Sequence, residues 1–254
     1  MSKIISFFKK YWITILIYVG FVLLYKIVSD YKLVNAFLFP SISDIIKSFK
    51  GNETTMLLNM LYSFRLLIPS VIVSLLIALV VGTIMGMNKR VREVLHPVIY
   101  TISVVPAILL SPFALVLLPN FWITSLFLVV YGTVWATMFA TITGIMTIDK
   151  RYLDNAATLE LTGFKKLFKV ILPAASPSIW AGFVNSLRSS FVMLAYAEMY
   201  GAKYGMGFYV KKYADFGLYS NTWGGFVFMV LILIIVMQIF EVIKNNMLKW
   251  TMDQ

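Results

Sequence analysis

The sequence predicts an all-α integral membrane protein with six transmembrane helices. Sixty per cent of its 254 residues are hydrophobic, only 13% are charged, and the mean hydropathy is +0.86. These values exceed what a soluble core of this size requires. Apolar runs of about 20 residues, the length that crosses the hydrocarbon layer, recur along the chain. The predicted spans cover residues 11–29, 63–87, 97–118, 122–146, 174–200 and 223–243.

The positions of Lys and Arg predict that both termini lie in the cytoplasm. Thirteen of these residues fall in the N-terminus, the 88–96 loop, the 147–173 loop and the C-terminal tail, against seven on the other side. Cytoplasmic loops of membrane proteins carry such an excess. Because the basic residues alternate with apolar spans, they explain the net charge of +11 without a nucleic-acid-binding patch.

The N-terminal unit is predicted to cover residues 1–62. Its apolar run, residues 11–29, is either a signal peptide or a retained first span, and the lack of a small-residue cleavage site favours the span. A short amphipathic helix should follow, capped by Ser41 or Ser43 and stopped by Gly51. It is interpreted as an outer interfacial helix or as an amphipathic connector without chemistry.

Residues 63–250 form the predicted core, whose first helices contain two Gly and two Pro residues of note. Gly82 and Gly86 are spaced for close approach of another helix. Pro106 and Pro112 each remove a backbone hydrogen bond in the third span, which favours a kink. The kinked helix is interpreted either as a pore-lining, moving part or as a static feature.

Polar residues cluster in the fifth span at Asn185, Arg188, Ser189 and Glu198. A charge at the bilayer centre costs about 2.5–3.5 kcal/mol, so Arg188 should face protein or a water-filled path. These four residues are predicted to line a translocation path together with the two prolines of the third span. Arg188 either attracts an anionic group or bonds another helix. Arg65, near the end of its span, can reach water and needs no special role.

The segment that follows this span, residues 201–221, is rich in Gly and aromatic residues. An aromatic belt at the membrane interface explains most of this composition. A gate, or a docking surface for an external partner, is the alternative interpretation.

The loop at 147–173 is a polar, helix-prone island between two spans. Asp149 is a suitable N-cap for a helix over 150–159, and Thr162 for a second helix that runs to Val170. One side of the second helix carries Phe164, Leu167, Phe168 and Ile171, while its Lys residues lie on the other. An apolar face that is offered to the cytoplasm predicts a partner.

This loop resembles that of the permease subunits of bacterial ABC importers, specifically the nitrate/sulfonate/taurine-type branch. The family's loop begins with Glu-Ala-Ala, has Gly four residues after the second Ala, and closes with Ile-x-Leu-Pro. The close matches residues 170–173, which puts Asp154, Asn155 and Ala156 at the opening and Glu160 at the glycine. A helix stop there favours a left-handed residue, which Glu adopts at a cost of about 1 kcal/mol. We therefore expect either a turn shifted to Gly163 or an altered angle.

The resemblance extends over residues 38–250. It includes Phe-Pro-Ser at 39–41, the two prolines of the third span, the loop exit at 172–177, and Ala-Glu followed by three glycines at 197–207. Residues 118–121, Leu-Pro-Asn-Phe, depart from the family's Trp-Phe-Gly-x-Gly, which alters the turn between the third and fourth spans.

The resemblance implies a type I ABC importer permease fold in the bacterial cytoplasmic (inner) membrane, embedded in lipid. It implies a homodimer, two ABC ATPase subunits, and an extracytoplasmic substrate-binding protein that delivers a small anionic or heteroaromatic solute. No GxxxxGK[ST] phosphate loop occurs in the chain, so ATP and Mg should be held by the ATPase. The residues assigned by the resemblance to ATPase coupling are Asp154, Asn155, Ala156, Ala157, Glu160, Thr162, Phe164, Leu167, Phe168, Leu172 and Pro173.

Two other classes of protein predict features that the sequence lacks. A secondary transporter or channel that works without ATP predicts coupled acidic residues or inverted repeats in the spans, and only Glu198 is of that kind. An enzyme predicts a nucleophile, a carboxylate pair or a metal site. The chain has no cysteine, and its one histidine, His96, stands before Pro97 at a loop edge, so no catalytic or metal-binding residue is assigned.

Overall fold

The computed structural model describes residues 2–249, with side chains described from residue 11 onward. All regular structure in this part of the chain is helical. The helices are α1 (Ser2–Asp30), α2 (Ile42–Phe49), α3 (Glu53–Met87), α4 (Lys89–Ser103), α5 (Ala107–Leu117), α6 (Phe121–Met146), α7 (Lys150–Thr158), α8 (Gly163–Lys166), α9 (Leu172–Gly201), α10 (Met206–Asp215) and α11 (Tyr219–Met247). A π-helical turn, Leu167–Ile171, joins α8 to α9.

Five helical segments are long and apolar enough to cross a membrane, and a bent helix pair supplies a sixth if it counts as one span. The predicted count of six is confirmed in this form. The five segments are Tyr11–Asp30, Glu53–Met87, Phe121–Met146, Gly163–Gly201 and Tyr219–Met247. The second begins ten residues before the predicted span, so the boundary drawn between residues 62 and 63 falls inside one continuous helix.

The third predicted span is broken, and the prediction of one kinked helix over 97–118 is wrong in this respect. The α4 and α5 helices meet at an angle of 89°. Pro106, with φ −64° and ψ 129°, stands at the break, where it has no N–H to continue the helix. Pro112 lies inside α5 without ending it. At 11 residues, α5 is about 16 Å long, too short to cross hydrocarbon alone.

The centre of the bundle is made by α3, α6 and α9, which approach closely through small residues. A Cβ atom added at Gly82 would lie 2.8 Å from Cβ of Thr141, and one at Gly86 would lie 2.8 Å from Cβ of Ile145. The predicted close approach at these two glycines is therefore confirmed.

Hydroxyl groups also join these three helices at buried positions. The Thr133 hydroxyl donates to the Ser74 hydroxyl at 2.9 Å, and Ser186 lies 2.8 Å from the Thr137 hydroxyl. Ser186 also donates to the carbonyl of Thr133 at 2.5 Å. Such bonds satisfy polar groups that water does not reach.

Two hydrogen bonds join α1 to the segment that precedes α2. Tyr25 of α1 donates to the carbonyl of Pro40 at 2.9 Å, and Ser29 donates to Phe39 at 3.2 Å. The predicted short helix is present as α2: the hydroxyl of Ser41 accepts the N–H of Asp44 at 3.2 Å, which confirms the N-cap.

Candidate functional site

The α7 helix begins at a charged cap. Asp149 accepts the backbone N–H of Arg151 at 2.9 Å, and its second oxygen accepts the Arg151 guanidinium at 2.6 and 3.0 Å. These hydrogen bonds from Arg151, first from its side chain and then from its backbone, lower the pKa of Asp149 to about 2. The predicted N-cap at Asp149 is confirmed.

The same helix ends at Glu160, which adopts the left-handed conformation with φ +50°. The N–H of Leu161 donates to the carbonyl of Ala156, and the N–H of Glu160 donates to Ala157, both at 2.9 Å. This pair of bonds is a Schellman motif, in which the left-handed residue is usually Gly. Of the two expected alternatives, the shift of the turn to Gly163 does not occur: Glu160 takes the left-handed angle itself and ends α7, while Gly163, with φ +52°, begins α8.

The second helix of the loop differs from the prediction at both ends. Thr162 has the extended backbone of an N-cap, but its side chain makes no capping hydrogen bond. The helix does not stop at Val170. It passes through the π-helical turn, where Leu172 N–H donates to the carbonyl of Leu167, and continues into α9. Pro173 lies directly after the π-helical turn, at the start of the α9 segment.

The apolar side of this helix divides into a buried edge and an exposed edge. Ile171 is buried against α6 and α9, and Leu167 packs beside it. Phe164 and Phe168 are 79% and 64% exposed, and their rings stack with centroids 6.5 Å apart. Two aromatic side chains are thus held on a fixed scaffold and presented to solvent.

A cleft of about 250 Å³ separates α7 from the helix that follows it. Tyr152, Asn155 and Leu159 line one wall, while Lys169 and Pro173 line the other. The structure thereby brings the opening and the close of the predicted coupling segment together. Of the remaining candidates, Ala156 is buried, Leu172 is half-buried, and Asp154 and Ala157 are exposed.

The candidate path residues on α9 separate into an exposed group and a buried one. Asn185, Arg188 and Ser189 are exposed on the surface of the chain. The Arg188 guanidinium donates to the side-chain oxygen of Asn185 at 3.1 Å, and no ion pair of Arg188 occurs within residues 11–249. In this chain, therefore, Arg188 does not have the bond to another helix that the structural alternative requires.

Glu198 is instead 1% exposed and bonded inside the protein. Its carboxylate accepts the N–H of Gly207 at 2.8 Å and a hydrogen bond from the Ser63 hydroxyl. A Cβ atom at Gly205 would overlap this carboxylate, so the glycine permits the approach. The described residues contain no group of three His, Cys, Asp or Glu residues that could hold a metal ion.

Sequence reasoning missed the partners that join α3 to the start of α10. Asn59 accepts the N–H of Gly205 at 2.9 Å, and Ser63 accepts the N–H of Met206 at 2.8 Å. The available signal was the Gly-x-Gly that follows Ala-Glu, since paired glycines indicate a close backbone approach. Nothing local indicated that α3 supplies the acceptors.

Comparison with protein families gives a match over most of the chain. A family described as "Binding-protein-dependent transport system inner membrane component" matches residues 74–251, which is more than half of the sequence. The match covers the bent helix pair, the α7–α8 loop and the polar part of α9.

Individual relatives are similar at lower identity. The chain is 24% identical over 170 residues to SsuC of Bacillus subtilis (strain 168), a permease protein named for aliphatic sulfonate transport; the match covers 67% of this chain and 62% of SsuC. It is 27% identical over 139 residues to the bicarbonate transport permease CmpB of Synechococcus elongatus, and this match covers 54% of the chain and 50% of CmpB. It is 25% identical over 130 residues to the nitrate import permease NrtB of the same organism, and this match covers 51% of the chain and 47% of NrtB. The chain thus spans about half to three fifths of the length of these relatives.

A solved structure shares the fold. The MetNI methionine ABC transporter, in an inward-facing conformation, matches with a TM-score of 0.61 and 15% identity, covering 73% of this chain and 92% of the matched chain. The predicted ABC importer permease fold and the resemblance to the nitrate and sulfonate branch are confirmed by these matches.

Proposed function

The chain belongs to the family of binding-protein-dependent transport system inner membrane components, and we propose that it is the permease subunit of an ATP-driven ABC importer. In this role it forms the translocation path for a small anion. The relatives named for sulfonate, bicarbonate and nitrate support an anionic solute, because all three names describe anions.

The observation that carries the proposal is the exposed aromatic pair on the α7–α8 loop. Phe164 and Phe168 project from a segment that is fixed at one end by the Schellman turn and at the other by Ile171 in the core. An isolated apolar patch on a polar loop is typical of a protein interface. The adjacent cleft beside α7 offers a concave partner surface.

The partner of this surface is an ABC ATPase, which holds ATP and Mg because this chain has no phosphate loop. Two permease copies and two ATPase subunits form the complex, and an extracytoplasmic binding protein delivers the solute. Both termini and the α7–α8 loop lie in the cytoplasm, as the excess of Lys and Arg on that side predicts. Closure of the ATPases moves the loop helices as rigid bodies and rocks the spans between inward-open and outward-open states.

Co-purification of the ATPase with the tagged permease tests this function. The double variant Phe164→Asp, Phe168→Asp should lose the ATPase by at least about tenfold in apparent affinity, which corresponds to about 1.4 kcal/mol. Phe216→Asp is the matched control, since Phe216 is equally exposed at the end of α10. Undiminished association of the double variant would show that this loop does not bind the ATPase. Uptake that persists without any ATPase would instead favour a secondary transporter or channel.

A further inference from the structure

A large cavity lies at the end of the bundle opposite the α7–α8 loop. Its volume is about 710 Å³, within the range of small-molecule sites. It is formed by α3, the start of α6 and the chain that follows α9. Because α6 begins at this cavity and α7 follows its other end, the length of the bundle separates the two sites.

The cavity carries an excess of positive charge. Arg65 of α3 and Lys203, two residues beyond α9, both line it. Among residues 11–249, neither cation forms an ion pair. The one acidic residue in the lining, Glu198, is buried in the wall, where its carboxylate is occupied by Gly207 and Ser63. Two cations therefore remain available to an anion.

The start of α6 also favours an anion in the cavity. Asn120, Phe121 and Trp122 line the cavity, so the N-terminus of a 26-residue helix, with its partial positive charge, borders it. Ser125, one turn further on, is only 4% exposed and also lines the cavity.

Aromatic side chains form the other part of the lining. Tyr62 and Tyr204 stack with ring centroids 4.7 Å apart, and Phe121 and Trp122 lie on the α6 side. A bare inorganic anion such as nitrate would leave these walls and most of the volume unused. Aromatic walls beside guanidinium and ammonium groups suit a molecule with an apolar body and a charged head.

We propose that this cavity binds an organic oxyanion, with its sulfonate or carboxylate head at Arg65 and Lys203 and its apolar body against the aromatic walls. The inference rests on the proposed function, since it identifies the kind of anion that the permease receives at this end. It gives Arg65 a ligand-binding role, where the sequence alone required only that this side chain reach water.

The test is a calorimetric titration of the permease, purified with its ATPase in phosphatidylcholine nanodiscs, with benzenesulfonate. Arg65→Gln and Lys203→Gln should each weaken binding by about tenfold, the loss typical of one charge-assisted hydrogen bond. Arg65→Lys should retain part of the affinity. Lys50→Gln, at an exposed cation outside the cavity lining, should leave it unchanged. Benzyl alcohol, which lacks the charged head, should not bind.

Three outcomes of the titrations would contradict the proposal, each in a different way. Equal binding by Arg65→Gln, Lys203→Gln and the unaltered chain overturns the site, and intact ATPase co-purification in the same samples shows that the proposed function survives. Nitrate that binds as tightly as benzenesulfonate overturns the role of the aromatic walls. Arg65-dependent binding of phosphatidylglycerol, without any benzenesulfonate binding, shows that the oxyanion is a lipid phosphate and overturns a solute site.

Discussion

Replacing Glu160 with Gly should stabilise the end of α7. A residue with a Cβ in the left-handed conformation costs about 1–2 kcal/mol, and Gly removes this cost. The greater freedom of Gly in the open state returns about 0.5–1 kcal/mol of that gain. The removed strain and the added freedom of Gly together leave a net stabilisation of about 0.5–1 kcal/mol. The substitution keeps both hydrogen bonds of the Schellman turn, because they join backbone atoms only.

Amide hydrogen exchange across residues 150–166 measures this local effect. A gain of about 0.5–1 kcal/mol slows exchange at the end of α7 by about two- to fivefold when opening is local and reversible. The matched control is Glu93→Gly, the same substitution on an exposed face inside α4. It should speed exchange in α4, because Gly in a helix interior costs about 1 kcal/mol. Faster exchange at the end of α7 in the Glu160→Gly variant would refute the reasoning.

Two further predictions concern the cap of α7 and the centre of the bundle. The pKa of Asp149 is lowered, so its stabilisation of the helix start is fully present above the ordinary carboxyl pKa of about 4 and is lost as the pH falls through about 2. NMR of the side-chain carboxyl should place the titration midpoint of Asp149 near 2. Arg151→Gln should raise this midpoint, because it removes the side-chain hydrogen bonds from Arg151. Gly82→Ala should destabilise the bundle by about 1–3 kcal/mol, because its Cβ would lie 2.8 Å from that of Thr141. Thermal unfolding in detergent measures this loss. Gly20→Ala, where nothing lies within 4 Å, is the control and should not lower the unfolding temperature, because Ala favours the helix interior of α1.

Features set by a few neighbouring residues could be predicted from the sequence. The cap at Asp149 depends on the next two residues, and the close approach at Gly82 and Gly86 depends on their spacing along one helix. The family resemblance places the helix stop at Glu160, but the sequence leaves open whether the turn shifts to Gly163 or changes its angle. In the structure both residues have a positive φ, and the Schellman hydrogen bonds end α7 at Glu160.

Features set by distant parts of the chain could not be predicted. Glu198 was interpreted as a path residue because a carboxylate in a span suggests function. Its partner Ser63 lies far away in the sequence, on α3, so no local pattern shows that the charge is enclosed. The sequence assigns no role to Arg65 for the same reason, because the cavity that it lines is formed by residues from three separate parts of the chain. The size of the bend at Pro106 likewise depends on how α4 and α5 pack, since a proline alone permits many angles.

The helical segment from Gly163 to Gly201 connects the two proposed sites. At 39 residues it is about 58 Å long, which exceeds the thickness of a bilayer. It carries Phe164 at one end, Arg188 in its interior, and the wall of the organic-anion cavity at the other end. Because α9 packs along α6 for much of its length, we expect Arg188 and the cavity wall to move together. The π-helical turn at Leu167–Ile171 interrupts the α-helical hydrogen-bond register of this segment, and it lies between Phe164 and the rest of the span. Single π-helical turns inside α-helices are frequent at functional sites, so we expect the angle between the α7–α8 loop and the span to adjust there.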